Sequence, residues 1–159
     1  HLFVGLVIGL IIGIGTGSYV FTQNDAEPTL MLHMHPMQEV DPNLPIPSVE
    51  LEALPDSNDG YNLQITTRNF RFTPENVGRD SIDNQGHSHL YVNGVKVARV
   101  YGDWFNLSAS DLQDGMNTVT VTLNTNDHSD WVLDGKHIEA VVEVEKVEPA
   151  AMQMEGMEM

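Results

Sequence analysis

Four turn dipeptides, Asp59-Gly60, Asn93-Gly94, Asp114-Gly115 and Asp134-Gly135, punctuate about a hundred residues in which apolar and polar side chains alternate. Tight hairpin turns need positive φ, which glycine and asparagine supply, and a half-buried strand has a period of two. Val49, Leu51 and Ala53 alternate with Glu50 and Glu52, and Tyr61, Leu63 and Ile65 with Asn62, Gln64 and Thr66. Further on, Val119, Val121 and Leu123 alternate with threonines, and Ile138, Ala140, Val142 and Val144 largely with glutamates. Strands of this kind are wet on one face and dry on the other. Residues 48–147 therefore predict an all-β domain, an antiparallel β-sandwich of immunoglobulin-like type with about seven strands. The chain has no cysteine, so the antibody-type Cys–Trp–Cys core is absent and the topology stays open.

The Asn93-Gly94 hairpin gives the sharpest local expectation. A two-residue type I′ turn pairs Val92 with Val95, Leu90 with Val97, His89 with Ala98 and His87 with Val100. Ser88, Leu90, Val92, Val95 and Val97 then share the core face, joined by Val119, Val121, Leu123, Ile138, Ala140, Val142 and Val144. His87, His89 and Tyr91 project from the opposite face. Histidines two apart on a strand have Cβ atoms about 7 Å apart, close enough to share a metal if a third ligand arrives. His128, beside Asp127, and His137 are the candidates for that ligand. Surface histidines hydrogen-bonded to their neighbours are the competing reading.

Residues 1–21 carry no Asp, Glu, Lys or Arg and are just long enough to cross a hydrocarbon core, predicting a single transmembrane helix that is not cleaved. Thr22 to Thr67 carry eight acids and no base, as the positive-inside rule expects of an exported flank, which places the domain in the periplasm of a bacterium with its anchor in the inner membrane. Gly5, Gly9, Gly13 and Gly17 recur every fourth residue on one helix face, a spacing that lets another helix approach closely. The expected partners are membrane lipid and other transmembrane subunits.

Residues 22–47 read as an extended linker, with Pro28, Pro36, Pro42, Pro45 and Pro47 too dense for a helix or a central strand. The linker contains Met31, His33, Met34, His35 and Met37, thioether and imidazole groups that suit copper. The tail, residues 148–159, carries Met152, Met154, Met157 and Met159 with no apolar period to bury them. Methionine is also an adaptable contact surface, so docking on a partner competes with copper for both segments.

Several functions are excluded. Without thiols there is no disulfide, iron–sulfur cluster, cysteine nucleophile or blue-copper thiolate. A formal net charge of −16 with no basic cluster argues against nucleic acid as a partner. No H-E-x-x-H, nucleophile elbow or phosphate loop occurs, so no enzyme is expected. Trp104 and Phe105 are expected to close one end of the sandwich core.

The run Gly86-His87-Ser88-His89-Leu90-Tyr91-Val92-Asn93-Gly94, with Val97 to Gly102 and Leu112 to Leu123, resembles a group of bacterial exported domains with a G-H-x-H-L-x-V-x-G hairpin. The resemblance covers roughly residues 86–145. It implies an immunoglobulin- or cupredoxin-like sandwich in a copper-related or electron-transfer setting, and no particular activity.

Two functions survive. The first is a non-enzymatic, membrane-anchored accessory subunit that packs through its helix and docks through linker and tail on an electron-transfer, photosynthetic or oxygenase complex. The second is a periplasmic copper-binding protein or metallochaperone. The sequence requires no cofactor, and copper is the one its ligand residues fit. Docking ranks first on sequence because it accounts for the glycine spacing and both methionine segments together.

Overall fold

The computed structural model describes residues 35–146. The expected anchor with Gly5, Gly9, Gly13 and Gly17, the linker residues Met31, His33 and Met34, and Met152, Met154, Met157 and Met159 of the tail lie outside the described residues. Among the described residues no helix is long and apolar enough to cross a membrane.

The described residues form eleven strands: β1 (Met37–Glu39), β2 (Ser48–Pro55), β3 (Tyr61–Arg68), β4 (Arg71–Phe72), β5 (Gln85–Val92), β6 (Val95–Val100), β7 (Trp104–Leu107), β8 (Met116–Asn124), β9 (Asp130–Leu133), β10 (Lys136–His137) and β11 (Glu139–Glu145). They make one eight-stranded sheet and one three-stranded sheet, β2-β3-β7. Within the larger sheet, β5 lies between β6 and β8, and β8 also pairs with β11. Most pairs are antiparallel, while β1 with β9 and β4 with β5 are parallel. The additional strands are mostly pieces of two to four residues, too short for alternation to mark them. One of them, β1, falls in the proline-rich segment, and it occupies a sheet edge, where proline neighbours are tolerated.

The core lies between the sheets. Leu63 and Ile65 of the smaller sheet meet Leu90, Val119, Val121 and Leu123 of the larger one, all with no solvent exposure. Each such side chain contributes about 1.5–3 kcal/mol by leaving water. Val92 and Val144 are buried as expected, and Ile138, Ala140 and Val142 pack partly buried against this core.

Two core expectations are corrected. Val95 is 66% exposed and Val97 36%. The hairpin begins in the expected register, Val92 opposite Val95, but a bulge at Leu90/Tyr91 leaves Val97 without a partner. Beyond it Leu90 pairs with Ala98, His89 with Arg99 and Ser88 with Val100, one residue off the predicted pairing. Ala98 and Val100 therefore take the inward places. Val95 stands at the turn end of an edge strand, with packing on one side only. Trp104, expected to close the core, is 56% exposed on β7, and only Phe105 packs against the core.

Candidate metal centre

The site begins with a glycine. Gly86 has φ of 149°, and a Cβ there would lie 1.9 Å from the main-chain oxygen of Asn124. Only glycine allows β5 to run this close to β8. His87 and His89 follow, opposite Asn124 and Thr122 of β8, and share one strand face because they are two residues apart. Ser88, Leu90 and Val92 point the other way, into the sandwich core. The predicted facing is thus correct, but the two histidines are not surface residues. Both have no solvent exposure.

What covers them is a second layer of rings. The His35 ring centroid lies 5.2 Å from that of His89, and the Tyr101 centroid 5.4 Å from that of His87. His128 approaches His87 at 4.9 Å between centroids and lies 6.1 Å from His89. His128 is carried by the turn after β8 with φ of 72°, a left-handed conformation in which histidine is over-represented among non-glycine residues. The turn is over-determined: His128 N donates to Thr125 O at 3.2 Å, Thr125 N to Ser129 O at 2.9 Å, and Ser129 N to Thr125 Oγ1 at 2.9 Å. The Asp127 carboxylate accepts from the Thr125 hydroxyl and from Ser129 N, so it holds the loop instead of joining the histidines.

Three nitrogens converge. His87 Nε2 and His89 Nε2 are 2.9 Å apart, His128 Nδ1 is 3.2 Å from His87 Nε2, and all three atoms lie within 4.8 Å of one another. Two imidazoles bound to one tetrahedral ion at about 2.0–2.1 Å have nitrogens about 3.4 Å apart, so small ring rotations would seat an ion. Among the described residues this is the one group of three or more His or acidic side chains with such spacing.

The electrostatics keep the rings neutral. Burial, then the neighbouring His128, Arg99 and Lys96, lowers His87 to about 3. Burial, then Lys96, lowers His89 to about 2, and burial, then Arg99, lowers His128. Neutral imidazole is the form that binds a metal. Lys96 Nζ stands 3.0 Å from His89 Nε2, and an ammonium can only donate. The single lone pair of His89 Nε2 thus faces both Lys96 Nζ and His87 Nε2, while His87 Nδ1 is buried and without a hydrogen-bond partner. A cation held by the three facing nitrogens would take their lone pairs, with the His87 proton then on Nδ1. The donor set thus fits a metal ion.

The other candidates have different places. His137 Nδ1 lies 3.4 Å from Asp130 Oδ2, so of the two candidates for third ligand only His128 joins the pair. Met37 is exposed and pairs with Asp130 in register, on the same sheet face as the histidines. Asn124 is a residue the sequence reading missed. It is fully buried, its Oδ1 accepts from His89 N at 3.2 Å and Thr122 Oγ1 at 2.8 Å, and its Nδ2 donates to Asp130 Oδ1. Lys96 and Tyr101 were also missed, although the two-residue turn already places Lys96 opposite Tyr91.

Compared with protein-family models, curated proteins and solved structures, the chain matches none, so a functional reading rests on the side chains themselves.

Proposed function

We propose that this chain is a copper-binding protein whose sandwich, read as immunoglobulin- or cupredoxin-like, holds the ion between His87, His89 and His128. The observation that carries this reading is the convergence of three neutral imidazole nitrogens from a central strand and an over-determined turn. Imidazole serves zinc and copper alike. Copper is favoured by the sequence around His35, whose ring stands next to His89 and which lies in a run with Met31, Met34 and Met37. Thioethers select Cu(I), and a chain that offers both donor types suits an ion that changes oxidation state.

This geometry raises the copper reading above the docking reading. The two remain compatible: an anchor packing through Gly9 and Gly13 would hold a copper-binding domain beside a membrane complex in the periplasm. The test is a metal titration of the full chain in mild detergent, with copper and zinc in competition. We expect about one tightly held copper per chain, lost when His87, His89 and His128 are changed together to alanine. Equal binding by that variant, or preferential loading of zinc, would overturn the assignment.

A further inference from the structure

Building on the copper assignment, we propose that the bound ion takes a small monovalent anion as a further ligand, held in place by Lys96 and Arg99. The charge distribution gives the first reason. The chain carries 7 Lys and Arg against 23 Asp and Glu, yet two of those seven basic residues stand at this site. Strand register places them there: Lys96 lies opposite Tyr91 and Arg99 opposite His89, so both share the histidine face of the sheet.

The second reason is uncompensated charge. Three neutral imidazoles leave a divalent ion with its full charge in a buried place. No carboxylate joins the three converging nitrogens, although the charge of Asp130 reaches Lys96 and His35. Asp130 accepts from Asn124 and lies against His137, and Asp127 accepts from Thr125 and Ser129. Three protein ligands also leave a coordination position open.

The third reason is what happens to Lys96 on metal binding. Its ammonium uses the lone pair of His89 Nε2, the same lone pair the ion needs. Metal loading deprives the ammonium of that acceptor while leaving it beside the ion. An anion bound to the ion replaces the acceptor. Arg99 donates from Nη1 to the Tyr101 hydroxyl at 3.3 Å and has further N–H donors to offer. Burial limits the size of the anion: the His87 and His89 side chains are enclosed by His35, Tyr91 and Tyr101, so only a small one could reach an ion between them.

Azide is the probe. The full chain in detergent is loaded with Cu(II) and titrated with azide while the electron paramagnetic resonance spectrum and the azide-to-copper absorption band are followed. We expect saturable binding in the wild type. Lys96→Gln with Arg99→Gln should weaken it by about tenfold or more, the scale of losing charge-assisted hydrogen bonds. Lys96→Arg should retain it, with azide affinity compared per bound copper after the copper content of each variant is measured. Absence of any azide effect on copper-loaded wild type, or equal affinity in the doubly neutralised variant, would overturn the anion site and leave the copper site standing. Failure of the wild type to load copper would overturn both.

Discussion

Gly86 and His87 show how much a single residue can decide in this protein. A Cβ at position 86 would meet main-chain atoms of Asn124, which cannot swing aside as a side chain could, and φ of 149° is costly for any other residue. Gly86→Ala should therefore cost about 2–4 kcal/mol, read as a fall in the denaturation midpoint, and should disturb metal binding because His87 and Asn124 move apart. His87 and His89 also set an acid limit on the metal-free protein. Their folded values, about 3 and about 2, lie below the 6.5 of an exposed histidine. The unfolded chain thus binds protons that the folded one refuses. Stability from these groups is complete above pH 6.5 and is lost as pH falls toward about 3, with a slope of at most about 1.4 kcal/mol per pH unit for each histidine. Urea unfolding of metal-free protein at a series of pH values checks this, and substituting His87 and His89 by leucine should flatten the slope.

At the scale of elements, the β5–β6 hairpin tests its own register. Leu90→Ala should cost about 2–5 kcal/mol, whereas Val97→Thr should change stability by less than about 0.5 kcal/mol, because the bulge turns Val97 out of the core. Similar costs at both positions would contradict the bulge. The long strands β2, β3, β5, β8 and β11 were legible because alternation and turn dipeptides agree over seven or more residues. The bulge was not, because one extra residue leaves no mark on composition, and every expected partner beyond it shifts by one. The histidine pair was legible from its spacing, and its burial was not, since the covering rings come from positions 35, 101 and 128, remote in sequence. Strand β1 matters most here. Its pairing with β9, and the Glu39 carboxylate accepting from Gly135 N at 2.6 Å and Asp134 N at 3.1 Å, fix the segment that carries His35 beside His89. His35 of the linker and His89 of the sandwich are thus neighbours. Changing His35 with Met37, and separately His89, should give copper-affinity losses that do not add, and a double-mutant cycle that closes without coupling would separate them again.

At the scale of the whole molecule, charge and hydrophobicity are divided along the chain. The first 21 residues have no charged side chain, the next 46 carry acids without a base, and the later strands of the sandwich place Lys96 and Arg99 on the histidine face. On the proposed membrane-anchored reading, an anionic membrane surface would repel this acidic domain, so attachment would come from the apolar segment and from whatever packs against it. In the transmembrane helix that the sequence predicts, glycines at positions 5, 9, 13 and 17 would destabilise the helix in water and be repaid by backbone contact with another helix in lipid. Replacing Gly9 and Gly13 together by leucine preserves hydrophobic length while filling the close-approach face. The protein should still partition to the membrane fraction and still bind copper, because the imidazoles lie in the sandwich. What should be lost is co-purification with its membrane partners, or with a second copy of itself, in mild detergent. Unchanged stoichiometry of the purified assembly would show that the glycine face serves lipid contact only, and would leave copper binding without a membrane partner to serve.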